Sequence, residues 1–180
     1  MADFFDHITE KHAEFIAEQP MFFTATACAS GRINLSPKGN DSFRVISPNL
    51  CGYIDMGGSG NETAAHIKND GRITVMFNSF TRNPLIYRLY GKGRVVRPGH
   101  NEFADLRKQF PAELPARQIV LIDVESTQTS CGYAVPLAND MVSRDTLVKW
   151  VEKKGETVIR EYEQKNNLKS IDGFDTGLND

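Results

Sequence analysis

The chain is predicted to fold as a mainly β, α+β domain: a closed or partly closed antiparallel barrel with helices at its periphery. Three observations predict it. About seven short apolar runs alternate with turn residues, three or four helical segments are interspersed among them, and the connections are too short for parallel crossovers. Residues 3 to 18 place Phe4, Phe5, Ile8, His12, Phe15 and Ile16 near one face at helical spacing, with Pro20 as a stop, so an amphipathic helix is expected first. MFFTATA (21 to 27) then turns at Ser30-Gly31 into RINLSPK (32 to 38). FRVI (43 to 46) and CGYIDM (51 to 56) follow as further strands.

A glycine-rich turn and a short helix (61 to 69) come next, and Asp70-Gly71 leads into the strand RITVMFNSF (72 to 80). In LIYRLYGKGRVVR (85 to 97), Gly91 and Gly93 predict a bend or bulge. Residues 99 to 109 are read as helical and closed by Pro111 and Pro115. RQIVLIDVES (117 to 126) is apolar on both faces, which predicts a strand buried on both sides or packed in a subunit interface. The longest helix is expected over 143 to 165, with Leu147, Val151, Val158 and Tyr162 facing inward and Gly155 as its weak spot. Trp150 and Tyr162 are read as core or interface residues, and the tail from Asn166 as loose or docked across a neighbour.

One domain, residues 1 to 180, accommodates all of this, and a chain of 180 residues can bury roughly two thirds of its unfolded surface without metal or disulfides. Lys plus Arg number 21 against 23 Asp plus Glu, a formal charge of -2 that excludes a whole-chain attraction to nucleic acid or anionic membrane. Cys28, Cys51 and Cys131 form no C-x-x-C pair, and the N-terminal MADFFDHITEKHAEF lacks the basic start and apolar run of a signal peptide. No segment has the roughly 20 apolar residues of a membrane span. A cytoplasmic protein is expected. His7 and His12 miss the i, i+4 spacing of a paired metal site, and His66 is expected to pack on the short helix.

Two segments point to chemistry. In GYIDMGGSGNETAAHI, Gly57, Gly58 and Gly60 precede a helix start, where free N–H groups and a partial positive charge suit a phosphate. Ser59 and Glu62 also fit an S-x-x-E capping box, which would satisfy those N–H groups without any ligand. In the strand 32 to 38, alternation puts Arg32, Asn34, Ser36 and Lys38 on one face, a polar ladder that either meets water or lines a site.

GRINLSPKG followed by FRVI, YIDMGGSGNETAAHI, DGRITVMF and RLYGKGRVV, in that order, resembles the pyridoxamine 5'-phosphate oxidase-like family, the FMN-binding split β-barrels. The likeness covers residues 20 to 97, and more loosely QTSCGYAVP and the helix holding Trp150. It implies a split antiparallel β-barrel and a homodimer with one FMN in each of two interface clefts. Asn34, Ser36, Pro37 and Lys38 would lie along the flavin and Arg44 would be a phosphate ligand, while Asp55 and Gly58, Ser59, Gly60, Asn61 and Thr63 would form the phosphate loop. The oxidases have two cations beside the loop serine, where this chain has Ser59-Gly60-Asn61-Glu62, so neutralisation falls to Lys38, Arg44, Arg88 or backbone N–H groups. The oxidases' C-terminal arginine and histidine have no counterpart in IREYEQKNN, so pyridoxamine phosphate is not the expected substrate. The implied activity is FMN-dependent oxidoreduction of another small molecule. A non-catalytic flavin or tetrapyrrole carrier and a deazaflavin-dependent reductase are the alternatives on the same fold.

Overall fold

The computed structural model describes residues 2–180. Among these, eight strands form one antiparallel sheet: β1 (Phe4–Phe5), β2 (Phe22–Thr26), β3 (Asn34–Lys38), β4 (Phe43–Ser47), β5 (Leu50–Asp55), β6 (Arg72–Asn78), β7 (Ile86–Val96) and β8 (Gln118–Ser130). Their spatial order is β3-β2-β6-β7-β8-β5-β4, with β1 added to the far end of β8, so the sheet stays open between β3 and β4. It curls as a half-barrel. Five helices surround it: α1 (Glu10–Glu18), α2 (Glu62–Asn69), α3 (Phe103–Arg107), α4 (Thr146–Lys154) and α5 (Glu156–Asn166). No described helix is long and apolar enough to cross a membrane.

β8 explains the two-faced burial expected of residues 117 to 126. Val120, Ile122 and Val124 point into the barrel core beside Phe22, Phe43, Tyr53 and Phe77, whereas Ile119 and Leu121 point outward into a second core with Phe110 and Leu114. The strand is buried on both sides within one chain. Phe22, Phe43 and Phe77 meet at ring-centroid distances of 5.0 to 5.5 Å, the edge and tilted contacts that aromatic quadrupoles favour. Between β7 and β8 the register slips at Tyr90/Gly91, the predicted bulge.

Three expectations are corrected. Phe4 and Phe5 pair with Gln128 and Thr127 as β1, so the first helix begins only at Glu10, capped by Thr9 Oγ1 accepting from His12 N. The long last helix is broken at Gly155, whose φ of 75° is left-handed backbone, into α4 and α5; neither has a buried residue, so Trp150 and Tyr162 are not core. The tail is not loose. It folds back on α2, with Lys68 Nζ donating to Asp175 Oδ2 and Asp180 Oδ2 and Phe174 edge-on to His66.

Candidate functional site

β3 is an edge strand, and its alternation has a physical outcome. Asn34, Ser36 and Lys38 turn inward and are half-buried, while Leu35 and Pro37 are exposed. The inward side chains form one wall of a cleft of about 380 Å³. Ser36 Oγ donates to Asn34 Oδ1, and Asn34 Nδ2 donates to Thr63 Oγ1 at 3.0 Å and Thr26 Oγ1 at 3.2 Å, which ties β3 to the first turn of α2. His66 packs beneath, its Nδ1 at 3.0 Å from Thr26 Oγ1.

The loop from Gly57 to Asn61 forms the opposite wall. Gly57 has φ 86°, a left-handed turn that a side chain would strain. The capping box is not formed: Asn61 is the N-cap residue and makes no side-chain cap bond, Ser59 lies two residues upstream, and Glu62 is already helical. Glu62 Oε1 instead accepts from Ile171 N at 2.9 Å, engaged by the tail. The first-turn N–H groups of α2 therefore keep no side-chain acceptor. Asn61 itself is buried, its Oδ1 accepting from Gln118 Nε2 at 2.8 Å while its Nδ2 has no partner.

The floor is a buried ion pair. Arg117 Nη2 donates to Asp55 Oδ2 at 2.8 Å, with side chains only 4% and 9% exposed. The guanidinium also donates to Gly60 O at 3.0 Å and Asn167 Oδ1 at 2.7 Å, and Gln118 Nε2 donates to Asp55 Oδ2 at 2.7 Å. Burial pushes the Asp55 carboxyl up, but the Arg117 and Lys38 charges and the bonds from Arg117 and Gln118 outweigh it, holding the group at about 2. Lys38 Nζ stands 4.0 Å from Asp55 Oδ1 and 5.0 Å from the Tyr53 ring centre. Because Asp55 is already paired with Arg117, Lys38 is the cation in the cleft wall whose charge is least compensated. Beside the loop, burial pushes the Glu163 carboxyl up.

Of the residues picked from sequence, the cleft brings together Asn34, Ser36, Pro37, Lys38, Asp55, Gly58, Ser59, Gly60, Asn61 and Thr63. It does not bring in Arg44 or Arg88. Arg44 bonds both Asp41 carboxylate oxygens and Gln109 O, on the far side of the half-barrel's open seam, and Arg88 donates to Ser130 Oγ at 3.2 Å. Arg117 and Asn167 were missed. A signal existed for Arg117: it precedes a run apolar on both faces, and a cation at the mouth of such a strand needs a buried partner. Asn167 carried none, since a polar tail gives no sign of where it docks.

A family profile described as Pyridoxamine 5'-phosphate oxidase matches residues 8–131. The Pyridoxamine 5'-phosphate oxidase family protein ustO of Aspergillus flavus is 35% identical over 194 aligned residues, covering 97% of this chain and 77% of that protein. Two solved structures show the fold. A Lactobacillus delbrueckii protein provisionally named a pyridoxamine 5'-phosphate oxidase has TM-score 0.56 at 18% identity, over 68% of this chain and 94% of that one. A variant of HupZ from Group A Streptococcus has TM-score 0.54 at 22% identity, over 68% of this chain and 99% of that one.

Proposed function

The chain belongs to the pyridoxamine 5'-phosphate oxidase family, and on that footing we propose that it is a flavin-dependent oxidoreductase that holds FMN in the cleft between β3 and the glycine loop. The observation that carries this reading is the buried, partnerless Asn61 Nδ2 beside an α2 first turn with no capping side chain, a pair of features that an anion would satisfy. The residues present fit the group. Lys38 supplies positive charge, Gly57 and Gly58 allow close backbone approach, and Glu62, the acid that would repel a phosphate, is engaged by Ile171 N.

A bound flavin supplies a ring that accepts and returns a hydride; the protein's part is to bind, orient and tune it. Asn34, Ser36 and Lys38 offer a graded polar face along which a flat polar ring can lie. Arg117, through its bond to Gly60 O, fixes the loop's height over the floor. The exposed outer face of β3, with Leu35 65% accessible and Ile33, just before the strand, 78%, supports a homodimer that covers this edge and completes the cleft at the subunit interface.

Titration of purified protein with FMN is expected to quench flavin fluorescence, and mass analysis of any chromophore released from fresh protein identifies FMN or a deazaflavin. Lys38→Ala is expected to weaken FMN binding about tenfold, the loss typical of one charge-assisted contact. Unchanged affinity and reduction potential would remove Lys38 from the site. Failure of the wild type to bind FMN overturns the cofactor assignment, and a bound flavin that no nicotinamide donor reduces would make the protein a carrier.

A further inference from the structure

Pro37 and Lys38, which line the cleft, also line a larger cavity of about 770 Å³, whose other wall is the segment Met141–Arg144 and the α4 residues Leu147 and Trp150. A smaller recess of about 210 Å³, lined by Gly57, Gly58 and Ser59 together with Leu147, Trp150 and Tyr162, joins the same helix to the glycine loop. Leu147, Trp150 and Val151 fall at i, i+3 and i+4, so one face of α4 looks toward the cleft. Trp150 is 38% exposed and is held edge-on by Tyr162 with ring centres 5.9 Å apart, which fixes the indole while leaving part of it open.

The larger cavity has a definite chemistry. Its apolar lining is Met21, Pro37, Met141, Val142, Leu147 and Trp150, and among the described residues no Asp or Glu lines it. Lys38 and Arg144 do. Arg144 has no carboxylate partner among the described residues; its chain neighbour Asp145 is engaged by Lys149 at 2.5 Å. An exposed tryptophan edge, an apolar bed, two cations and no acid select one class of small molecule: a flat apolar ring carrying an anionic group. The volume lies within the range of small-molecule sites. This wall comes from residues 141–150, beyond residues 8–131 that match the family profile.

We infer that this cavity binds an aromatic carboxylate, its ring against Trp150 and its carboxylate toward Arg144, next to the flavin cleft. Describing that ligand as the substrate rests on the flavin reading; its binding does not. Calorimetric titration of the full chain with 2-naphthoate tests it, alongside 2-naphthalenemethanol, which lacks the charge, and cyclohexanecarboxylate, which lacks the aromatic ring. Naphthoate is expected to bind about tenfold more tightly than either analogue. Arg144→Gln is expected to bring naphthoate down to the level of the alcohol, and Trp150→Leu to the level of cyclohexanecarboxylate. Both positions are at the surface, and an unchanged melting temperature verifies that each variant is folded.

Naphthoate that binds no better than its alcohol, or binds equally well to both variants, overturns the inference. FMN is titrated separately into the same proteins. Loss of the naphthoate contrast with FMN binding intact sinks this inference alone, whereas a naphthoate contrast in a protein that ignores FMN upholds it and sinks the cofactor assignment.

Discussion

Asp55 and Arg117 form an ion pair with both side chains nearly buried, and their pairing is as much a stability feature as a site feature. The Asp55 carboxyl sits at about 2, against an ordinary 3.8, so its pairing stabilises the fold fully above pH 3.8 and is lost as pH falls through about 2. The size of that contribution is about 2 kcal/mol. Urea unfolding followed from pH 5 down to pH 2 is expected to show this loss, and Asp55→Asn is expected to lack it. Arg117→Met leaves a buried carboxylate without its cation, an expected cost of about 3 to 5 kcal/mol, against a smaller cost when both partners are replaced together. A double-mutant cycle measured by chemical denaturation checks the difference.

At the scale of elements, β8 sets the site because its first residues form the floor and its length crosses the whole half-barrel. Gln118 pairs directly with Asp55, which places both polar side chains under the glycine loop. Gly91 permits the close approach of β7 to β8 at the bulge: a Cβ there would lie 2.0 Å from Asp123 O, a backbone atom that cannot move aside without shifting the bulge. Gly91→Ala is expected to cost about 3 kcal/mol, as overpacking against backbone does. Gly99→Ala, in open space but at φ +103°, is expected to cost about 1 kcal/mol from backbone strain alone. Thermal melting of the two variants separates close approach from conformational strain.

For the whole molecule, the tail and the open edge decide whether the site is complete. The tail's Asn167 bonds Arg117, Ile171 N engages Glu62, Asp172 pairs with Arg32, and Thr176 O accepts from Arg97, so residues far apart in sequence are drawn to one side of the cleft. Deleting residues 168–180 is expected to free Glu62 toward the loop and to weaken FMN binding about tenfold, read by the same fluorescence titration. At the open edge, Leu35→Asp is expected to convert a dimer to monomer in sedimentation velocity, because a desolvated charge would oppose packing on β3. A wild type that sediments as a monomer removes the dimer from the proposal.

The sequence by itself determined the strand run, the bulge at Gly91, the alternating polar ladder of β3 and the glycine turn before α2, because periodicity and backbone freedom act over a few residues. It also placed Lys38 and Asp55 at one site, through the order of its motifs. Tertiary structure alone decided that Glu62 turns to Ile171, that Arg44 goes to Asp41, that Phe4 and Phe5 join β8, and that Arg117 and Asn167 meet under the loop. Those outcomes are choices among partners distant in the chain. They depend on which groups end up close enough to bond once the sheet has curled, and local spacing holds no record of that.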